Sequence, residues 1–92
     1  YHTLRSKGSQ PGFPDWTLVR DRVVFLELKR EDGKLTDAQR EWLTALRAGL
    51  AEAYVARPRD LPDVGKMLAA RPPHGQPGSI PLWVRTGEEL AP

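Results

Sequence analysis

The 92 residues include no cysteine, which excludes disulfides, thiolate chemistry and Cys-ligated zinc and leaves the fold to stand on packing alone. No apolar run approaches the roughly 18 residues that a membrane helix needs, and no charged-then-apolar start resembles a signal peptide. The default is therefore a soluble, intracellular protein. The eight glycines include neither G-x-x-x-x-G-K-[ST] nor G-x-G-x-x-G, so a phosphate-cradling nucleotide loop has no support. Ser6, Ser9 and Ser79 lack a histidine and an acid in any arrangement suited to a serine hydrolase, and His74 has no partner at metal-ligand spacing. Charge of one sign is scarce as well. Fourteen Lys and Arg against twelve Asp and Glu leave a formal charge of +2, which permits an anionic partner without demanding one.

What is present is the composition of an ordinary globular chain, 39% hydrophobic and 28% charged, long enough for one small domain. His2-Thr3-Leu4-Arg5 reads as a short strand before a Gly/Pro loop, in a basic stretch that contains Arg5 and Lys7. Trp16 to Arg20 and Val23 to Lys29 are β-rich runs separated by Asp21-Arg22, the pattern of a hairpin. Thr36-Asp37-Ala38-Gln39 has the form of a capping box and starts a helix that Gly49 stops. Ala38, Trp42, Ala45, Leu46 and Gly49, with Leu43 alongside, form its apolar stripe, so Trp42 reads as core rather than as a base-stacking platform. Ala51 to Arg57 is a further strand, and Leu61 to Ala70 a second, shorter helix. From Arg71 prolines and glycines make regular structure unexpected, although Ile80, Leu82, Trp83 and Val84 are apolar enough to dock on the body or pair as an edge strand. The division this suggests is a domain over residues 1–70 and a Pro/Gly-rich extension over 71–92.

One run stands out. In Phe25-Leu26-Glu27-Leu28-Lys29 two charges interrupt a buried strand, and a period of two places Phe25, Glu27 and Lys29 on one face. Alone, E-x-K is a solvated strand end with a weak ion pair. Asp15, however, begins the strand that pairs with this one. Two adjacent carboxylates repel unless a cation sits between them, and oxygen ligands without sulfur select hard ions such as Mg²⁺ or Mn²⁺. Such an ion polarises a phosphodiester and acidifies a water, while a lysine beside it offsets charge on phosphorus. Hairpin register decides whether the three groups meet. A two-residue loop at Asp21-Arg22 turns Asp15 away from Glu27. A three-residue loop at Asp21 to Val23 puts Asp15 opposite Lys29 and diagonal to Glu27, and Asp-Arg is a poor pair for the tighter turn. Trp16 alternates away from this face and is expected to pack under the helix.

Gly12-Phe13-Pro14-Asp15, then Glu27-x-Lys29, then Gly33-Lys34-Leu35-Thr36 leading to Gln39 and Trp42-Leu43, together resemble the VRR-NUC domain of the PD-(D/E)xK nuclease superfamily. The likeness runs over roughly residues 1 to 60, with His2-Thr3 and Ser6 before the motif and Arg57-Pro58 with Asp60 after it. It implies a restriction-endonuclease-like α/β core, a central mixed β-sheet flanked by helices, and Mg²⁺- or Mn²⁺-dependent hydrolysis of DNA. It implies Asp15, Glu27 and the carbonyl of Leu28 as metal ligands and Lys29 as the catalytic lysine. Gln39 matches the family's helix glutamine, thought to orient the lysine or a water, although its place in the capping box explains it equally well. The family's core normally opens with a helix bearing another acid, which nothing before Tyr1 supplies, so the expectation is either that this helix belongs to a missing upstream segment or that the domain works without it. His2, Arg5, Ser6, Lys7, Lys34 and Arg57 are candidates for contacting DNA. Stand-alone members, often from phage or bacteria, are associated with branched DNA such as Holliday junctions, which points to a homodimer in the cytoplasm of a bacterial or phage-infected cell. A non-catalytic DNA-binding or interaction module of the same fold is the alternative.

Overall fold

The two β-rich runs pair across a three-residue loop, Arg20-Asp21-Arg22, closed by Val19 and Val23. A computed structural model describes the chain over residues 2–5, 11–69 and 82–90, the first of these as backbone. Its elements are β1 (His2–Arg5), β2 (Trp16–Val19), β3 (Val23–Leu28), α1 (Asp37–Ala48), β4 (Glu52–Ala56), a 3-10 turn (Pro58–Asp60), α2 (Leu61–Ala69) and α3 (Leu82–Leu90). The loop lies one residue earlier than the one expected at Asp21 to Val23, because β-branched Val23 stays in its strand. Leu18 then stands opposite Val24 and Trp16 opposite Leu26. One step further along this register, Asp15 faces Glu27 directly rather than Lys29.

The sheet runs β1-β2-β3-β4, antiparallel at its first two pairings and parallel between β3 and β4. Parallel neighbours cannot be joined by a tight turn, and α1 supplies the crossover. The capping box forms: Thr36 Oγ1 accepts from the Gln39 backbone N–H, and Gln39 Oε1 accepts from that of Thr36. At the other end the Gly49 N–H bonds the Ala45 carbonyl, and Leu50 follows at φ 66°, the left-handed turn that ends the helix. Backbone pairing reaches one residue past β3, where the Lys29 N–H donates to the Ala56 carbonyl at 2.9 Å.

Two apolar layers hold the helices to the sheet. On one face Val24, Leu26, Tyr54 and Ala56 pack with Val64 and Met67 of α2 and Leu82 of α3, and Trp16 and Leu18 lie against them. Trp16 therefore lies on the α2 and α3 side of the sheet, not on the α1 side. The opposite face brings Ala53 and Val55 together with Leu43, the one fully buried residue of α1, flanked by Phe25, Leu35, Leu46 and Leu90. Ala45 is exposed, so the buried stripe of α1 is narrower than its apolar spacing predicts. Alternation along β3 thus gives Glu27 the α1 side of the sheet.

The segment expected to dock irregularly or as an edge strand contains α3, a helix of the core. It covers the free edge of β4. Thr86, fully buried, accepts from the Val55 N–H at 3.1 Å and donates to the Val55 carbonyl at 3.2 Å. One hydroxyl thereby satisfies both groups that a neighbouring strand would have paired, and the edge is closed to further strands. Thr86→Val keeps the shape and removes both bonds. It is expected to lower stability by about 2 kcal/mol, the cost of stranding a buried donor and acceptor, read as a lower urea midpoint at unchanged slope.

Candidate active site

Asp15 reaches its position from a loop pinned by aromatic contacts. Pro14 is buried, and Phe13 meets Phe25 edge-on at 5.8 Å and Trp42 at 5.0 Å between ring centroids. Each such pair contributes on the order of 1 kcal/mol beyond area burial. Together they tie the loop both to β3 and to α1. The Asp15 Oδ2 then accepts from the Leu28 N–H at 3.2 Å.

Glu27 is only 2% exposed although it carries an ionisable group. Its strand lies between β2 and β4, and α1 covers the face it points to. Gln39 Nε2 donates to its Oε2 at 3.3 Å, while Oε1 is buried with no donor among the described residues. Burial first, and then hydrogen bonding and repulsion from the Asp15 carboxyl, push Glu27 up to about 8, against a smaller opposing pull from Lys29. Two acids this close can share a proton or a cation but cannot both ionise without one. The half-buried Lys29 lies on the same face, two residues on. Oxygen donors of this kind suit a hard divalent ion. Among the described residues no third His, Asp or Glu joins them.

Gln39 Oε1 completes the capping box while its Nε2 donates to Glu27. The cap also sets which end of the amide faces the acid, because Oε1 is held by the Thr36 N–H.

The expected DNA contacts fare differently. Lys34 is exposed in the loop after β3. His2 and Arg5 lie on β1, across from Val19 and Trp16, and Ser6 and Lys7 lie outside the described residues. Arg57 is not a surface cation. It is buried, with Nη1 2.7 Å from each carboxylate oxygen of Glu89 and Nη2 donating to the Gly33 carbonyl at 2.5 Å. Its charge is neutralised within the fold and it is removed from the phosphate-contacting set. Asp60 likewise serves the fold, accepting from the Arg57 N–H and lying 2.6 Å from Arg85. Nothing in the sequence marks Glu89 for this role, because its partner is 32 residues away.

A mixed sheet in which an acid from the loop before one strand faces E-x-K on the next, with a helix supplying a glutamine, is consistent with a nuclease core of the PD-(D/E)xK superfamily. A family model described as the VRR-NUC domain matches residues 3–60. The chain belongs to that family. No curated protein matches it, and no solved structure does. The match takes in β1 to β4, α1 and the 3-10 turn, while α2 and α3 lie beyond it. A domain of this family implies a nuclease, with DNA as substrate, and the superfamily typically uses divalent metals.

Proposed function

We propose that the protein is a metal-dependent DNA endonuclease that hydrolyses phosphodiester bonds at Asp15, Glu27 and Lys29. One observation carries the reading. Glu27 Oε1 is buried without a donor among the described residues, beside a second carboxyl, and two acids in that state are relieved by a cation. Asp15, Glu27 and the Leu28 carbonyl would hold Mg²⁺ or Mn²⁺. When bound, the ion supplies Lewis-acid polarisation of the phosphate and acidifies a water. Lys29 contributes a cation that holds a water or phosphate oxygen and offsets charge developing on phosphorus. Gln39 keeps the Glu27 carboxylate in one orientation, its own amide fixed by the helix cap. Lys34, with the basic segment containing His2, Arg5, Ser6 and Lys7, grips the DNA backbone.

Branched DNA, such as a four-way junction cut symmetrically by a homodimer, is the substrate we infer from the resemblance, since two strands cut at one junction need two sites. The test is cleavage of labelled four-way junction, linear duplex and single strand with Mg²⁺, Mn²⁺ or EDTA. Asp15→Asn and Lys29→Ala are each expected to slow metal-dependent cleavage by about 100-fold or more, with DNA binding retained. Binding of DNA without cleavage in any metal would transfer the assignment to a non-catalytic module. Equal rates on duplex and junction would remove the branched-DNA refinement alone.

A further inference from the structure

We infer that Gly12 is a positioning residue of this site, holding the Asp15 loop and the Gln39 helix in one rigid unit; the inference rests on the reading of Asp15, Glu27 and Gln39 above. Two separate features require glycine. Its φ is +84°, a conformation that L side chains rarely adopt. A Cβ on its backbone would also lie 2.4 Å from the Ala38 carbonyl carbon, 2.6 Å from the Ala38 oxygen and 2.6 Å from the Gln39 nitrogen. Ordinary contact begins about 1 Å further out. The obstacle is helix backbone, so no rotamer change relieves it. Either the loop or the first turn of α1 must move.

Both neighbours of this contact carry site groups. Asp15 follows three residues after Gly12 in the same loop, and the Gln39 nitrogen is one of the atoms a Cβ would strike. The bonds that would register a shift have little slack, at 3.3 Å from Gln39 Nε2 to Glu27 and 3.2 Å from the Leu28 N–H to Asp15. A displacement near 1 Å carries either beyond hydrogen-bonding distance. Phe13, wedged between Phe25 and Trp42, prevents the loop from simply lifting away. The strain is therefore delivered to the carboxyl pair and the glutamine. Gly33 provides the contrast: it too lies in a loop by the site, but a Cβ there would come no closer than 3.4 Å to the Arg30 oxygen.

The experiment compares Gly12→Ala, Phe13→Leu and Gly33→Ala with the natural protein. In metal-free protein, NMR follows the Leu28 backbone amide and the Gln39 side-chain amide; Mn²⁺ affinity is measured by calorimetry, and cleavage by kcat and KM. Gly12→Ala is expected to shift both amide signals, to weaken Mn²⁺ binding and to lower kcat by about 100-fold, the usual cost of a 1 Å misplacement, with KM for DNA unchanged. Phe13→Leu should move the same signals in the same direction by less, and it tests the inference if Gly12→Ala does not fold. Gly33→Ala should leave them in place. Unmoved amide signals with full kcat in Gly12→Ala, or in Phe13→Leu if that alone folds, would overturn the inference while leaving the nuclease reading intact. Shifted signals in Gly12→Ala, together with a natural protein that neither binds Mn²⁺ nor cuts DNA, would uphold the positioning role and sink the nuclease reading instead.

Discussion

Glu27→Gln is expected to make the metal-free protein more stable at pH 9 than the natural chain and to flatten its stability between about pH 4.5 and pH 8, while abolishing cleavage. The sign follows from burial. Glu27 titrates at 4.5 in an open environment and at about 8 here, mainly because its charged form is desolvated and next because Asp15 lies beside it. Between those values the unfolded chain has released the proton and the folded chain retains it. The unfolded state then binds fewer protons, so stability falls as pH rises through this window, and the loss is complete above the folded value. Each pH unit of the window removes about 1.4 kcal/mol, so the penalty above pH 8 is on the order of 5 kcal/mol. That is a large share of the roughly 5–15 kcal/mol that typically holds a domain together.

Glutamine has nearly the same shape, stays neutral, and keeps an oxygen for Gln39 Nε2 to donate to. It therefore escapes the penalty. Mg²⁺ should stabilise the natural protein increasingly as pH rises, because it favours the ionised carboxylate, and should do nothing comparable for Glu27→Gln. Urea titrations at pH 5, 7 and 9, with and without Mg²⁺, read all of this. Parallel pH curves for the two proteins would show that Glu27 is not the group responsible. The expected result has a plain meaning for function: an acid buried where it can bind a cation is a destabilising element until the cation arrives.

The second large effect lies outside the residues that match the family. Glu89→Ala is expected to cost about 3 kcal/mol, as breaking one partner of a buried ion pair does. Arg57 is 8% exposed, and both Glu89 oxygens lie 2.7 Å from its Nη1. Without Glu89 the guanidinium keeps, among the described residues, the Gly33 carbonyl and remains a charge taken out of water. The loss should be recoverable without restoring the pair. Arg57→Met combined with Glu89→Leu removes both charges and fills the space, and is expected to return most of the stability, since such pairs seldom exceed apolar packing in net worth. A loss below about 0.5 kcal/mol for Glu89→Ala would place the pair in the range of surface ion pairs and leave α3 held by Leu82, Thr86, Leu90 and the pairing of Arg85 with Asp60 and Asp63.

This pair also explains why sequence reasoning places Arg57 on the surface. It follows a strand and precedes Pro58, where a cation usually faces water. Nothing within several residues marks it as buried. The same holds for α3: its prolines and glycines upstream suppress any helix signal, and only the uncovered edge of β4 gives Leu82–Leu90 a surface to fold against. Register was readable in part. The need for Asp15 and Glu27 on one face excluded the two-residue loop, but where the three-residue loop began depended on Val23, whose preference for the strand outweighed its use in a turn. Trp16 lies off the charged face, as alternation requires, but on the α2 and α3 side, because alternation tells which side of a sheet a residue occupies and not which helix covers that side.

By itself the sequence determined what short-range physics controls: the hairpin, the capped start of α1 at Thr36, and the period of two that sets Glu27 and Lys29 on one face. These depend on bonds and sterics spanning a few residues. Tertiary structure alone decided that Asp15 stands directly across from Glu27, that Gln39 serves the cap and the acid together, and that Arg57 is neutralised by Glu89. Each of those outcomes turns on which polar groups packing excludes from water together, and that is fixed only when elements distant in the chain meet.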